Sequence, residues 1–294
     1  MSRKVVVFGS SGQLGVELMR ELEARGYQAV GFERKAIDIS DRERVEQSVA
    51  ELDPGLVFNA AAYNQVDVAE REPHAAYTAN ALGVRNLALA CRQVDAKLIH
   101  YSTDYVFDGT AGRPYVEQDQ PHPLGAYAVS KLAGELYAQA YLDTALVVRT
   151  SGVFGPGGLR TARGNFIELV LRLAAGTQPI RMVEDHVASP TYAPLLAART
   201  LDLVERHCSG VFHIGGGTPI SWFNFAKLIC EGAQLAPILQ PTNEREYRTA
   251  ARRPKFSALS NAKMESEGLA PMPALALAVK SYLTIRQRLV SEPQ

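Results

Sequence analysis

The sequence predicts an α/β fold in which a doubly wound parallel sheet carries a second, smaller α/β lobe. Short apolar runs alternate with longer amphipathic stretches up to about residue 150. These runs are nearly continuous, which is typical of parallel strands covered on both faces. This alternation of apolar runs and amphipathic stretches changes near the loop Gly155-Pro156-Gly157-Gly158. We therefore assign residues 1–150 to the sheet domain and 151–294 mainly to the second lobe, with some segments free to return to the first domain.

Each predicted element follows from its own hydrophobic pattern. Strands are expected at 4–9, 28–32, 56–59, 97–102 and 145–149, and helices between them at 13–25, 41–52, 74–92 and 127–141. Asp41 is the predicted N-cap of the second helix, and Gly26 ends the first helix where a left-handed residue is favoured. Four further helices are expected at 165–175, 192–207, 222–234 and 274–289.

The composition excludes several classes of partner. Acidic and basic residues balance at 31 each, so no net field attracts nucleic acid or an anionic membrane. No apolar stretch reaches the roughly 20 residues that a bilayer span needs. The three cysteines, Cys91, Cys208 and Cys230, are odd in number and widely spaced, which fits reduced thiols in the cytoplasm. We therefore expect a cytoplasmic protein with small-molecule partners.

A glycine-rich turn joins the first predicted strand to the first helix. In Gly9-Ser10-Ser11-Gly12-Gln13-Leu14-Gly15 the missing side chains permit a tight turn and the close approach of a pyrophosphate to the helix N-terminus. The spacing is GxxGxxG rather than GxGxxG, so the motif takes its weight from its strand–turn–helix position. The turn predicts a dinucleotide-binding Rossmann domain, with cofactor contacts from Gly9, Gly12, Gln13 and Leu14.

The segment after the second strand bears on the choice of cofactor. Glu33 favours a free ribose 2′-hydroxyl, whereas Arg34 and Lys35 can neutralise a 2′-phosphate. We predict NADPH on this ground and leave NADH open. Further cofactor contacts are expected from the following connections and strand ends and from a later helix, namely Arg34, Asp38, Ile39, Ala60, Ala61, Tyr63, Ser102, Tyr127 and Lys131.

Tyr127 and Lys131 lie four residues apart on a predicted helix, so both side chains can reach one ligand from the same face. The unperturbed phenol has a pKa of about 10, and a cation beside it lowers that pKa toward neutrality. Thr103 ends the fourth strand, at the edge where open α/β sheets bind ligands, and can hydrogen-bond a substrate carbonyl. We predict that these three residues are catalytic.

Taken in chain order, these motifs resemble the extended short-chain dehydrogenases/reductases, and within them the dTDP-4-dehydrorhamnose reductase family. The resemblance rests on Gly12-Gln13-Leu14-Gly15, Asn59-Ala60-Ala61-Ala62-Tyr63, Val66-Asp67, Ser102-Thr103-Asp104-Tyr105-Val106-Phe107-Asp108-Gly109, the Tyr127 and Lys131 pair, Arg149-Thr150-Ser151, Gly164-Asn165-Phe166, Ser189-Pro190-Thr191 and Arg253-Pro254. It implies a two-lobed enzyme that reduces the C4 keto group of a dTDP-linked 4-keto-6-deoxyhexose with NADPH or NADH. That reaction is the last step to dTDP-L-rhamnose.

The resemblance also implies roles for residues at the matching positions. Tyr127 would donate a proton to the C4 oxygen, Lys131 would hold the nicotinamide ribose and lower the phenol pKa, and Thr103 would fix the carbonyl. Arg253 would pair with the diphosphate of the substrate, since a guanidinium suits phosphate geometry. The other implied substrate contacts are Val66, Asp104, Tyr105, Phe107 and Asn165.

The chain departs from the family pattern at three places. The family's Arg-Thr-Ser-Trp is Arg149-Thr150-Ser151-Gly152 here, which removes an aromatic side chain expected near the sugar. Its Asp-Gln before Pro-Thr is Asp185-His186. Some members bind Mg²⁺ through acidic residues near a dimer contact; Glu17 matches them, but Tyr192-Ala193-Pro194-Leu195 offers no carboxylate. We predict no metal site, and we leave open whether the chain forms a homodimer.

Three other functions occur on the same fold. A sugar-nucleotide dehydratase would be expected to carry Thr-Asp-Glu where this chain has Thr103-Asp104-Tyr105, which disfavours dehydration. A nucleotide-sugar 4-epimerase shares the tyrosine and lysine pair but would retain its cofactor through purification. A non-catalytic NADP-binding regulatory subunit, resembling that of methionine adenosyltransferase, has no chemical need of Thr103, Tyr127 and Lys131.

Overall fold

The computed structural model describes residues 4–161 and 164–291, and this part of the chain contains ten strands. They are β1 (Val5–Phe8), β2 (Ala29–Phe32), β3 (Leu56–Asn59), β4 (Lys97–Thr103), β5 (Leu146–Thr150), β6 (Ile180–Val183), β7 (Val187–Ala188), β8 (Gly210–His213), β9 (Ile220–Ser221) and β10 (Leu239–Thr242). Six of them form a sheet in the order β2-β1-β3-β4-β5-β8, and every pairing in it is parallel. The predicted doubly wound parallel sheet is confirmed.

The helices follow the predicted pattern closely. They are α1 (Gln13–Ala24), α2 (Arg42–Leu52), α3 (Val66–Ala69), α4 (Pro73–Tyr77), α5 (Gly83–Gln93), α6 (Ala126–Tyr141), α7 (Phe166–Ala174), α8 (Ala193–Glu205), α9 (Trp222–Gly232), α10 (Ala262–Ser266) and α11 (Leu275–Ser291). A π-helical turn, Thr78–Leu82, joins α4 to α5. The helix predicted at 74–92 is therefore α4, this turn and α5 in succession.

Local signals at helix ends behave as expected. The Asp41 side chain accepts a hydrogen bond from the backbone N–H of Arg44 and caps α2. Gly26 has φ +78°, the left-handed conformation that a glycine adopts without strain. Both predictions are confirmed. Among the described residues, no helix is long and apolar enough to cross a bilayer.

The strands are apolar on both faces because two helix layers cover the sheet. Val5 and Val7 share one buried cluster with Leu18 of α1, and this cluster extends into α8. Val6 and Phe8 point the other way, into a cluster that includes residues of α2 and α5. This alternation is the two-residue period of a strand, here with helices on each side.

The second half of the chain contributes to both lobes. α8 packs on α1, and β8 completes the main sheet beside β5, so these segments return to the first domain. The remainder forms a separate core around Phe154, Phe225 and Tyr282, built from α7, α9, α11 and the parallel pair β6–β10. The division at residue 150 stays a prediction.

A buried ion pair ties α6 to β5 beneath the carboxyl edge of the sheet. The guanidinium of Arg149 donates two hydrogen bonds to the carboxylate of Glu135, from Nη2 to Oε2 at 2.7 Å and from Nε to Oε1 at 3.0 Å. The Ser102 hydroxyl donates to the same carboxylate. Arg149 is 4% exposed and Glu135 1%. Removing one partner of such a fully desolvated pair destabilises the fold, because the other charge is left buried and unpaired.

Candidate active site

A cleft of about 630 Å³ opens at the carboxyl ends of β1, β3, β4 and β5. The chain leaves β1 for β2 on one side and returns to β3 on the other, so the cleft lies at the switch point where open sheets bind ligands. All the residues predicted to be catalytic or to bind cofactor line it, and so does Asp104 from the predicted substrate set. The catalytic and cofactor residues are Gly9, Gly12, Gln13, Leu14, Arg34, Asp38, Ile39, Ala60, Ala61, Tyr63, Ser102, Thr103, Tyr127 and Lys131.

The glycine turn is shaped by close backbone contacts. Gly9 has φ +78°, and a Cβ placed on it would lie 2.6 Å from the backbone nitrogen of Ala61. A Cβ on Gly15 would lie 2.1 Å from the carbonyl oxygen of Gly9. Gly12 occupies the N-cap of α1 and offers no side-chain cap. The first N–H groups of α1 therefore face the cleft with the positive end of the helix dipole.

The side chain of Gln13 reaches across the cleft as well as lining it. Its Nε2 donates to the carbonyl oxygen of Val153 at 2.7 Å. Four residues further along α1, the Glu17 carboxylate accepts from the backbone N–H of Gly157 at 2.8 Å. These two bonds attach the start of α1 to the loop that opens the second half of the chain.

At the far end of the cleft, Arg34 and Asp38 form an exposed ion pair, with Nε 3.0 Å from Oδ2. Arg34 is 82% exposed, so its remaining guanidinium N–H groups are available to a ligand. A smaller open cavity beside it is lined by Ser11, Glu33, Arg34, Lys35 and Asp38. The cationic side chains predicted to face a 2′-phosphate thus lie at one pocket.

Lys131 is the buried cation of the site. Its ammonium is inside the protein, 3% exposed, and donates to the carbonyl oxygen of Tyr101 at 2.6 Å. Burial lowers its pKa to about 8, although the nearby Glu135 carboxylate acts in the opposite direction. Tyr127, one turn earlier on α6, lines the cleft with its ring edge-on to Tyr105 at 6.3 Å.

Thr103 and Asp104 lie at the end of β4, where Asp104 begins a 3₁₀ turn. The Asp104 carboxylate accepts from Ser257 at 2.6 Å, Ser151 at 2.8 Å and Thr103 at 3.1 Å. Burial raises its pKa to about 6 against the effect of these hydroxyls. Because the single Thr103 hydroxyl proton points at Asp104, Thr103 must rotate before it can donate to a substrate carbonyl.

Asn80 is a positioning residue behind the cleft lining that no sequence motif indicated. It lies in the π-helical turn Thr78–Leu82, where it is buried. Its amide accepts from the Tyr63 N–H at 2.8 Å and donates to the Tyr63 carbonyl at 3.0 Å and to Ser130 Oγ at 3.0 Å. Ser130 precedes Lys131, so one amide positions two sides of the cleft. A polar residue on the apolar face of a predicted helix was the available signal.

Four predicted substrate residues occupy other environments. The ring of Phe107 is fully buried and stacks on Tyr115 at 4.1 Å, so its contact with a substrate stays a prediction. Asn165 caps α7, accepting from the Glu168 N–H, and its amide donates to Tyr282. Val66 and Tyr105 also lie outside the cleft lining, although the Tyr105 ring contacts Tyr127.

Arg253, the predicted diphosphate partner, is engaged elsewhere in the protein. Its guanidinium binds both oxygens of Asp67, at 2.7 and 3.1 Å, and also the Ala251 carbonyl. The side chain is 20% exposed and does not line the cleft. A diphosphate would have to compete with Asp67 for this guanidinium.

The whole arrangement matches one family along almost the entire chain. Residues 3–288 fit the family profile described as the RmlD substrate binding domain. The chain belongs to the RmlD family. It is 34% identical to the dTDP-4-dehydrorhamnose reductase of Escherichia coli over 95% of this chain and 96% of that protein. It is 36% identical to the spore coat polysaccharide biosynthesis protein SpsK of Bacillus subtilis, over 91% and 93% of the two chains.

The fold agrees with a crystal structure from the same group. The dTDP-4-dehydrorhamnose reductase of Bacillus anthracis, solved in complex with NADP, superposes with a TM-score of 0.92 at 34% identity. The match covers 97% of this chain and 100% of that chain. Membership of the RmlD family confirms the resemblance drawn from the sequence motifs.

The absence of a metal site stays a prediction for this RmlD-family chain. Within residues 4–161 and 164–291, one group of three potential ligands clusters, Asp185, His186 and Glu244, with ligand atoms within 4.8 Å of one another. The Lys255 ammonium lies 3.9 and 3.8 Å from the two carboxylates and already neutralises part of their charge. Sequence spacing could not reveal this cluster, because Glu244 is distant along the chain. Glu17 pairs instead with Arg20 at 3.2 Å.

Proposed function

We propose that the chain reduces the C4 keto group of a dTDP-linked 4-keto-6-deoxyhexose with NADPH, as in dTDP-L-rhamnose synthesis. The observation that carries this proposal is a single cleft containing the glycine turn, Thr103, Tyr127 and the buried ammonium of Lys131. The named relatives of the RmlD family support the reaction and the substrate class. The Bacillus anthracis enzyme supports NADP(H) as cofactor.

The residues present fit a dinucleotide. The uncapped start of α1 lies where a pyrophosphate would be held, and no side chain fits at Gly9 or Gly15 to block it. Arg34 and Lys35 would hold the 2′-phosphate. When bound, NADPH supplies the hydride that reduces the carbonyl carbon.

The protein supplies the proton and the orientation. Tyr127 donates its phenolic proton to the C4 oxygen as negative charge develops there. Lys131, still protonated at pH 7 with a pKa of about 8, stabilises the phenolate that this transfer leaves behind. Thr103, released from Asp104, donates a second hydrogen bond to the same oxygen. The roles of these three residues are part of the proposal.

The direct test is turnover. Purified protein is supplied with dTDP-4-keto-6-deoxy-L-hexulose and NADPH, and oxidation of the cofactor is followed at its absorbance band while the sugar nucleotide product is identified. We expect stoichiometric oxidation and a dTDP-6-deoxyhexose. Sugar epimerisation without net oxidation, by protein purified with bound cofactor, would instead establish a 4-epimerase. Absence of turnover with any nicotinamide would favour a regulatory subunit.

Replacing Arg34 with alanine is expected to raise the KM for NADPH about tenfold, since a charge-assisted contact to a phosphate contributes about 1.5 kcal/mol. The KM for NADH should stay within about twofold, because no phosphate is present to lose the contact. Steady-state kinetics with both cofactors measure the difference. Arg42, whose guanidinium pairs with Glu46 on α2, gives the control Arg42→Ala. Equal losses with both cofactors would remove Arg34 from the 2′-phosphate site.

Replacing Lys131 with methionine is expected to lower turnover by roughly 10²-fold or more, yet to spare the fold. The folded-state pKa of about 8 lies below the unfolded value, so keeping the ammonium charged at pH 7 destabilises the wild type. That effect is about 3 kcal/mol, and losing the bond to the Tyr101 carbonyl offsets about 1–3 kcal/mol of it. The variant should be at least as stable as the wild type at pH 7.

The pH dependence gives the sign of this effect. As pH rises from about 8 to about 10.4, the wild type sheds the buried charge and gains stability, so the advantage of Lys131→Met disappears. Urea unfolding at pH 7 and pH 10 measures both differences. Lys263→Met is the matched control, because the Lys263 ammonium also donates to a carbonyl oxygen, that of Val211, at 2.6 Å. If Lys131→Met is several kcal/mol less stable than the wild type at pH 7, the buried ammonium of Lys131 does not destabilise the fold as its lowered pKa predicts.

Residues 1–150 would bind the dinucleotide, and most of residues 151–294 would hold the nucleotide sugar. A cytoplasmic location is proposed because the described cysteines are free thiols. A homodimer is proposed from the family resemblance alone, and light scattering on the eluted protein would test it.

A further inference from the structure

Gly152 lies at the reacting end of the cleft. It follows β5 by two residues, and the last residue of β5, Thr150, is in register with Thr103 on the neighbouring strand. Both threonines and Gly152 line the cleft. The space above Gly152 is therefore on the side where the substrate carbonyl would bind beside Thr103, away from the Arg34 end.

That space is taken by an indole. A Cβ placed on Gly152 would lie 3.0 Å from Cη2 of Trp222 and 3.3 Å from Cα of Pro190. Gly152 also has φ +49°, a conformation that other residues adopt with strain. A side chain at position 152 and the ring of Trp222 thus compete for one volume, and in this chain Trp222 has it.

Trp222 lines the cleft, and contacts on its other side hold it in place. It is the first residue of α9, directly after the N-cap Ser221, and its backbone N–H donates to the His186 carbonyl at 3.2 Å. Its ring packs against Phe166 at 4.7 Å and Phe225 at 6.2 Å. Trp222 and Phe166 are half-buried, and both line the cleft. The second lobe therefore presents an aromatic wall to the reacting end.

We propose that Trp222, backed by Phe166, is the sugar-contacting and specificity-determining residue of this site, occupying the position that a side chain at residue 152 would otherwise fill. A 6-deoxyhexose suits such a wall, because its C–H groups and its C6 methyl are apolar and would pack on the rings, while its hydroxyls would turn to the polar groups that line the cleft. This inference rests on the proposed function and names the residue that recognises the sugar part of its substrate.

The test uses the fact that the chain has one tryptophan. In protein saturated with NADP⁺, dTDP-L-rhamnose is expected to change the intensity or wavelength of Trp222 emission, whereas dTDP, which lacks the sugar, is expected to leave it nearly unchanged. Equal responses to the two ligands, or no response to dTDP-L-rhamnose, would overturn the proposal. This measurement needs no variant and so does not depend on a mutant folding.

Kinetics of variants give a second readout. Trp222→Ala should raise the KM for the sugar nucleotide about tenfold and leave the KM for NADPH within about twofold, with Trp222→Phe recovering most of the loss. Phe223→Leu, on the adjacent residue outside the cleft lining, is the control for disturbance of α9. A Trp222→Ala protein that unfolds like the wild type and keeps its KM for the sugar would overturn the inference alone. A wild type that turns over no 4-keto sugar would overturn the proposed function, and this inference with it.

Discussion

Replacing Tyr127 with phenylalanine is expected to lower kcat for reduction of the 4-keto sugar by roughly 10²–10⁴, the usual contribution of a positioned general acid. The ring would keep its packing against Tyr105, so the change removes one oxygen and little else. Affinity for NADPH should fall far less, because the other predicted cofactor contacts stay in place. Steady-state rates together with cofactor titration separate the two effects.

Tyr137→Phe is the matched control for this loss. Tyr137 is on the same helix, and its ring stacks on Tyr141 at 6.3 Å, away from the cleft lining. We expect wild-type rates from that variant. Undiminished turnover by Tyr127→Phe would refute the acid role, and the proton would then have to come from another donor in the cleft.

Replacing Glu135 with leucine is expected to lower the free energy of unfolding by about 3–5 kcal/mol, because Arg149 would be left charged and unpaired in the interior. Ser102 would lose its acceptor at the same time. Urea unfolding measures the change. The pair joins α6 to β5, so the loss should also be visible as reduced protection of amides in those two elements.

A double variant separates the ion pair from packing. In Glu135→Leu with Arg149→Met both charges are gone, and a large part of the lost stability should return. Two results would show that the pair does not stabilise the packing of α6 on β5. One is a loss of less than about 1 kcal/mol of unfolding free energy in the single variant Glu135→Leu. The other is a loss in the double variant that exceeds the sum of the losses in the two single variants.

The sheet could be predicted because its signals are local. Runs such as Val5–Phe8 are apolar at every position and stand next to glycine turns, so strand, turn and helix are fixed within about ten residues of sequence. β7 and β9 escaped prediction because each has two residues. β6 and β10 are as long as β1, but they are not apolar runs, since they contain Arg181, Gln240 and Pro241. The return of β8 to the main sheet depends on packing against β5, which no local pattern reports.

The cleft could be predicted for the same reason, and side-chain partners could not. The cleft that Thr103, Tyr127 and Lys131 share could be predicted because the strand end that carries Thr103 and the helix face that carries the other two each have a local sequence signal. Arg253 meets Asp67 across 186 residues of sequence, and Phe107 turns into the core after a 3₁₀ turn that β4 alone does not announce. Such choices are decided by distant parts of the chain.

The return of the chain to its first sheet limits how relatives of this protein can be recombined. A fragment cut at residue 150 would leave β5 as a bare edge and strip α8 from α1, exposing apolar surface prone to self-association. A chimaera that exchanges the sugar-recognising part therefore needs several crossover points, placed on either side of α8 and β8, instead of one.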